Sequence, residues 1–257
     1  MIDIKVHGLK EKKMERDKAF VLGIDLGTQG VRSLVVNLRG KIVAEEREGS
    51  FSSRLEGEIF EQDPEEWVQK VDVCVSKVLR KFSDCGYCRE AILALSCDST
   101  SGTVLMVDKE GRVLHPAIMY NDSRAREEAS FVNDVSKTFC DKMGYRFDPS
   151  FALCKVLWVK RHRMELFEKT GYFLHAADYL VGVLTGEWGI SDISNSLKMG
   201  YDLIDLQWPE FIERELDIPV AKLPKVFMTG EMVGELNAYW SKRWGCPRLK
   251  VVAGATD

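Results

Sequence analysis

The chain predicts an α/β fold, a mixed sheet flanked by helical layers. Three observations carry this. Short apolar runs divided by Gly and Asp turns fill the segment from Ala19 to Asn37. One strongly amphipathic helix follows it, and apolar positions recur at helical spacing through most of the chain beyond Asp122. With 257 residues, 45% hydrophobic and 30% charged, the chain is long enough for one large or two small domains at about 150 residues each.

The first elements are FVLGID, RSLVVN and KIVAE, the last after the turn Leu38-Arg39-Gly40. They predict three strands with at least one hairpin. Asp63-Pro64-Glu65-Glu66 is a helix start with an N-cap, Pro at N1 and an acid at N3. Trp67, Val71, Val75, Val78 and Phe82 then define a helix from Pro64 to about Phe82. A strand is expected at Ile92 to Leu95. TVLMVD, Lys109-Glu110-Gly111 and RVLH repeat the earlier strand-turn-strand pattern, which predicts a second hairpin in the same sheet. Helices are expected at Ser123 to Phe139, Leu153 to Phe167 and Ala176 to Leu184, with short ones after Trp208-Pro209-Glu210 and at Asn237 to Trp244. Ser191 to Tyr201 is polar and irregular. Leu249 to Ala253 is a buried-looking strand that runs into Gly254-Ala255-Thr256-Asp257.

Forty acidic against 36 basic residues leave a net charge of -4, so no electrostatic footprint for nucleic acid or an anionic membrane is expected. The longest near-continuous apolar stretch, Ala91 to Cys97, falls far short of the roughly 18 residues of a membrane span. Seven scattered cysteines, an odd number, suggest reduced thiols and an intracellular compartment. Cys85 and Cys88 have CxxC spacing but no second pair or nearby His, so a plain loop is expected there. The charged residues 1–18, without an apolar stretch or Ser, match no targeting signal and are expected to form a flexible tail. This favours the cytoplasm, with the plastid stroma as the alternative if the N-terminus is incomplete.

Four segments could carry chemistry. In Gly23-Ile24-Asp25-Leu26-Gly27-Thr28-Gln29-Gly30 an acid ends a strand before a tight Gly-rich turn. Backbone amides there can converge on a phosphate and the carboxylate can hold hydrated Mg²⁺, or the segment is a plain hairpin with a solvated Asp. It is neither a Walker A loop nor GxGxxG. Cys97 to Thr103 is a run of small hydroxyl residues that could line a polyol pocket or simply turn. Tyr120-Asn121-Asp122-Ser123-Arg124 sets an aromatic face and an acid before a helix, where Asp122 fits equally as an N-cap. Asp257 follows a strand in a small-residue loop, where it could accept a hydroxyl proton or be an ordinary acid. His7, His115, His162 and His175 have no metal-ligand spacing and are read as structural or surface residues. Lys160-Arg161-His162-Arg163 is read as a solvated helix face.

From Phe20 to Asp257 the chain resembles the FGGY carbohydrate kinases through GIDLGTQGVRSLVVN, EQDPEEW, PAIMYNDSRA, KVLW, LHAADYLVGVLTGEWGISD and VVAGATD. Within them DSTSGTVLMVD, FLHAADYL, SDISNSLKMGYD and AGATD are most similar to the D-ribulose kinase, xylulokinase-like group of cyanobacteria and plant plastids. The resemblance implies an actin-like, ribonuclease-H-like fold, with residues 19–257 as the N-terminal, sugar-binding lobe of a two-lobe kinase using ATP and Mg²⁺. It further implies Asp257 as catalytic base and Asp25 as the acid beside Mg²⁺ and the phosphates. Gly27, Thr28, Gln29 and Gly30 would form the hairpin between phosphate and sugar, and Ser101, Tyr120 and Asp122 would lie at the sugar. Gln29 replaces the usual Ser or Thr, and Phe151 to Cys154 lacks the expected Pro, Ser or Thr. Relatives continue past the catalytic Asp into a nucleotide-binding lobe that this chain lacks, so weak or no turnover alone is expected. Self-association through an exposed interlobe face near Val251 to Ala253 is also expected. The function implied is phosphorylation of D-ribulose to D-ribulose 5-phosphate. The alternatives are a xylulose or other polyol kinase lobe and a catalytically silent sugar-binding module.

Overall fold

A computed structural model describes residues 17–256; most of the expected tail, including His7, and Asp257 lie outside the described residues. The central sheet begins with β1 (Phe20–Gly27), β2 (Gly30–Asn37) and β3 (Ile42–Gly49), joined as two antiparallel hairpins. Along β1, Phe20, Leu22, Ile24 and Leu26 alternate into the core, as a strand's period of two requires. After the small hairpin β4 (Ser53–Glu56) and β5 (Ile59–Gln62) comes α1 (Pro64–Asp84). Its start is as expected: the Asp63 carboxylate accepts from the Glu65 backbone N–H at 2.9 Å, with Pro64 in the first turn. Its buried face, Trp67, Val71, Cys74, Val75, Val78 and Phe82, lies over β2 and β3. Burying such side chains contributes roughly 1.5–3 kcal/mol each.

β6 (Ile92–Ser99) runs parallel beside β1 and is four residues longer than Ile92 to Leu95. The next elements are β7 (Leu105–Val107), β8 (Ala117–Ile118), α2 (Arg126–Val135), α3 (Lys137–Met143), α4 (Ala152–His162), α5 (Met164–Lys169), β9 (Tyr172–Leu174) and α6 (Ala176–Thr185). They are followed by β10 (Ile190–Asp192), α7 (Ile193–Lys198), α8 (Phe211–Arg214), β11 (Lys225–Phe227), β12 (Met232–Glu235), α9 (Ala238–Trp244) and β13 (Lys250–Thr256). The main sheet has the order β12-β13-β6-β1-β2-β3 and is mixed, since β13, β6 and β1 are parallel while β12, β2 and β3 run against their neighbours.

The second hairpin does not join this sheet. Only three of its residues form a strand, β7, which pairs with β9, while RVLH keeps a single bridge, Val107 to Val113. The reason is that β7 separates two cores. Leu105 and Val107 pack with the sheet and α1, whereas Met106 and Val104 pack under α2 and α4. β9 does the same with Leu174 and Phe173. An apolar run buried on both faces resembles a hairpin strand in sequence but is a divider in space.

Two expected helices are each broken in two. Between α2 and α3 the Ser136 hydroxyl donates to the Val132 carbonyl at 2.6 Å, a local bond that competes with helix continuation. Between α4 and α5, Arg163 takes φ -141°. The "irregular" 191–201 segment contains β10 and α7. The basic run 160–163 is not simply solvated: Lys160 donates to the Leu216 carbonyl at 2.9 Å, Arg161 lies over Phe131 and His162 stacks on Trp158. Near 251–253, β12 pairs along the outer edge of β13; Val251 and Ala253 are buried and Val252 is half-buried. Among the described residues no helix is long and apolar enough to cross a membrane. All seven cysteines are free thiols, and Cys85 and Cys88 lie in the loop after α1.

β13 is pressed onto β6 at Gly254, where pairing shifts register between Val252 and Ala255 and a Cβ would stand 1.7 Å from the Cys97 carbonyl oxygen. Only glycine fits there. Gly254→Ala is therefore expected to cost about 2–3 kcal/mol in urea denaturation, more than an exposed helix-cap loss such as Asp63→Ala at about 1 kcal/mol.

Candidate functional site

The carboxyl ends of the three parallel strands lie side by side, with Asp25 level with Asp98 and Asp98 level with Ala255. Open parallel sheets bind ligands at this edge, because each strand delivers its next loop there. β1 continues into the two-residue turn Thr28-Gln29, closed by the pair Gly27 and Gly30. The turn is braced from the end of β5: Gln62 donates through Nε2 to the Thr28 carbonyl at 3.1 Å and accepts from Trp67 Nε1 of α1 at 2.9 Å. Asp25 and Gln29 are exposed on this edge. No cluster of three metal-ligating side chains occurs among the described residues, but Mg²⁺ commonly takes one or two carboxylates and completes its shell with water and phosphate oxygens. Asp25 fits that role.

The end of β13 is held by residues that the sequence reading left as an irregular stretch. Asp192 caps α7, accepting from the backbone N–H groups of Ser194 at 2.8 Å and Asn195 at 2.9 Å. The Ser194 hydroxyl in turn accepts from the Thr256 N–H at 3.0 Å, and Asn195 Nδ2 donates to the Ala255 carbonyl at 3.2 Å. The Thr256 hydroxyl donates to the Ser99 carbonyl at 2.6 Å. These bonds fix the direction in which the chain leaves toward Asp257, itself outside the described residues. An Asp directly before a short apolar-led segment, Asp192-Ile193-Ser194-Asn195, was a legible cap signal.

The hydroxyl run after β6 divides into structural and accessible members. Ser99 accepts from the Ala177 N–H at 3.0 Å and Thr103 from the Tyr120 N–H at 3.2 Å, and both are buried. Ser101 is partly exposed. Beside it Gly102 has φ +83°, and a Cβ there would stand 2.3 Å from the Ser150 carbonyl oxygen, so the loop can close on the 148–151 segment only with glycine. Tyr120, 37% exposed, forms one wall of a groove of about 600 Å³ with Asn121, Asp122, Asn133, Asp148 and Ser150.

Asp122 lies in that wall but is 1% exposed, and its carboxylate is taken up. It accepts from the Phe60 N–H at 2.7 Å and from Arg124 Nη2 at 2.6 Å, and Arg124 also donates to Glu61 at 2.7 Å. It is not the N-cap of α2, whose cap position is Ala125. Its bond to the Arg124 N–H at 3.1 Å is an Asx-type turn that shapes the Tyr120 segment. Sequence reasoning passed over a second buried group, Lys155, whose Nζ donates to the carbonyls of Gly102 at 3.0 Å, Tyr120 at 3.3 Å and Ser150 at 2.9 Å. His175, fully buried, donates from Nδ1 to the Thr103 carbonyl at 3.0 Å while its own N–H reaches Asp178 at 2.8 Å, tying the start of α6 to the same loop.

Two predictions follow from these buried groups. Arg124→Met leaves Asp122 buried without its cation and Glu61 with the more distant Arg54 at 3.6 Å, and is expected to cost about 3–5 kcal/mol in denaturant unfolding. Burial pushes His175 down from 6.5 to about 4. Between those values the unfolded chain binds a proton that the folded chain refuses, so stability is lost as pH falls through this window. His175→Gln is expected to show a shallower loss of unfolding free energy from about pH 6.5 to about pH 4 than the wild type.

Residues 20–257 match the sequence profile of the FGGY family of carbohydrate kinases, N-terminal domain. The chain is 31% identical to the xylulose kinase of Escherichia coli K12 over 237 residues, covering 92% of this chain and 48% of that protein. It is 25% identical to ribulokinase 1 of Staphylococcus saprophyticus over 262 residues, covering 88% of this chain and 47% of that protein. The crystal structure of a xyloylose kinase from Brucella ovis superposes with a TM-score of 0.84 at 27% identity, over 93% of this chain and 49% of that one. The chain thus spans about half the length of the curated relatives it matches. The mixed sheet with its parallel centre and antiparallel flank is the actin-like ATPase fold of those sugar kinases, and the chain belongs to the FGGY family of carbohydrate kinases, as its N-terminal domain.

Proposed function

We propose that this domain binds a ketopentose in an ATP-dependent sugar kinase, with the sugar lying between the β1–β2 turn and the wall formed by Ser101 and Tyr120. The observation that supports it most is the convergence of three parallel strand ends, one carrying Asp25, one leading to Ser101 and one leading to Asp257. Phosphoryl transfer needs little covalent help from a protein, so positioning and charge neutralisation dominate. In this reading Asp257 accepts the proton of the sugar's terminal hydroxyl as that oxygen bonds to the γ-phosphorus and the bond to the ADP oxygen breaks. Asp25 holds the hydrated Mg²⁺, which would neutralise charge on the phosphates. The amides of Gly27, Thr28, Gln29 and Gly30 lie between phosphate and sugar, and the longer Gln29 amide stands where the family usually has Ser or Thr. Ser101 offers the sugar a hydroxyl and Tyr120 an aromatic face. Asp122 acts through Arg124 and Phe60 to set Tyr120 in place.

For the sugar itself, the motif resemblance favours D-ribulose, whereas relatives named xylulose kinase favour D-xylulose. Epimer discrimination rests on one or two hydrogen bonds, so both belong in one titration. Calorimetry of the chain with D-ribulose, D-xylulose and glycerol is expected to give saturable binding of a ketopentose in preference to glycerol. Tyr120→Ala should weaken it about tenfold. In a chain extended to the full length of its relatives, Asp257→Ala should leave sugar affinity in place and lower sugar-dependent ADP formation by about 10²–10⁴-fold. Absence of heat with every sugar, or undiminished turnover in Asp257→Ala, would sink the reading.

A further inference from the structure

Lys155 is 0% exposed, an unusual place for an ammonium, and among the described residues its side chain enters no ion pair within bonding distance. Its three donors instead serve three backbone carbonyls from three separate segments: Gly102 after β6, Tyr120 after β8 and Ser150 before α4. Ser101 adjoins the first of these, and Tyr120 and Ser150 line the groove. An ammonium has three N–H groups for three acceptors. A neutral amine has two, and its lone pair would face the third carbonyl.

We propose that Lys155 is a positioning residue of the sugar pocket: its ammonium fastens the Gly102, Tyr120 and Ser150 segments together, and loss of its proton loosens the wall that meets the sugar. This rests on the sugar reading of the site given above. Burial pushes Lys155 from its ordinary 10.5 down to about 7, so the fastening switches near neutrality. The charged groups that face it are Asp122 and Asp148, which favour the ammonium, and Lys198, which opposes it; the neighbouring Cys154 thiol, pushed up to about 12 by burial, carries no charge there, and His175 lies near enough to be depressed by it. Of these His175 stays neutral over the relevant range, since burial holds it at about 4.

The linkage has an unusual sign. Between about 7 and 10.5 the unfolded chain keeps a proton on Lys155 that the folded chain has released. This group's contribution to stability therefore rises with pH across that window. Sugar affinity should move the other way. A lysine that merely filled space would give no such opposition.

The test measures D-ribulose and D-xylulose binding by calorimetry, and amide hydrogen exchange corrected for intrinsic pH dependence, at about pH 6 and about pH 9 in the wild type, Lys155→Met and Lys155→Arg. The wild type is expected to bind sugar about tenfold more weakly at the higher pH. The amides of Val104, Tyr120 and Ser150 should lose protection over the same interval, while those of α1 do not. Lys155→Met should be weak and unprotected at both pH values, and Lys155→Arg, which cannot lose its charge there, should respond less to pH. Unchanged protection and affinity in a folded Lys155→Met, or in the wild type between the two pH values, overturns the proposal. The wild-type pH comparison decides the matter even where a variant does not fold. Loosened loops in a wild type that binds no sugar at either pH would overturn the sugar reading alone and leave the fastening in place.

Discussion

Parallel strands cannot be joined by tight turns, so β1, β6 and β13 end at the same edge of the sheet, and the chain between one of them and the next passes through helices. Everything placed at the candidate site depends on that constraint. It sets Asp25, Asp98 and Ala255 in one row although they are far apart in sequence. It also requires the long excursions between strands, which here build the second core under α2 and α4. The contact at Gly254 is the tightest expression of it, since β13 reaches its register only by passing against the Cys97 carbonyl.

Around that edge the chain buries several polar groups: Lys155, Arg124 with Asp122 and Glu61, His175 with Asp178, and Asp192 with Asn195. None is an efficient source of stability, because desolvation offsets much of what each bond returns. Their common property is that each ties backbone from one segment to another. Lys155 gathers three loops, Gln62 braces the β1–β2 turn, His175 and Ser99 hold the start of α6, and Asn195 with Ser194 steers the end of β13. A loop has no lattice of its own to fix it. Buried donors and acceptors supply one, and the surrounding apolar cores supply the free energy that makes this possible.

The two cores also explain which expectations held. Amphipathic α1 with its capped start, the β1–β2–β3 meander and the strand at β13 follow from local periodicity and turn chemistry, and they occur as expected. The TVLMVD segment does not form a sheet hairpin because β7 is buried on both sides, a circumstance that periodicity cannot register. The break at Ser136 comes with its hydroxyl turning onto the Val132 carbonyl, and the break at Arg163 with its extended backbone, choices that apolar periodicity does not register. Very short strands such as β8 to β11 carry too few residues for any period to show.

The sequence alone determined the elements whose signals are local: caps, alternation, Gly turns, and the hydroxyl and aromatic segments that carry the family likeness. From those the family could be named. Tertiary structure alone decided what each polar side chain is used for. Asp122 proved to be committed to Arg124 and the Phe60 amide, and Ser99 and Thr103 to backbone. Lys155, one lysine among many in the sequence, proved to be the junction of three loops. The physical reason is that propensity and periodicity act over neighbours in the chain. A buried hydrogen bond is chosen by whatever the fold brings within about 3 Å.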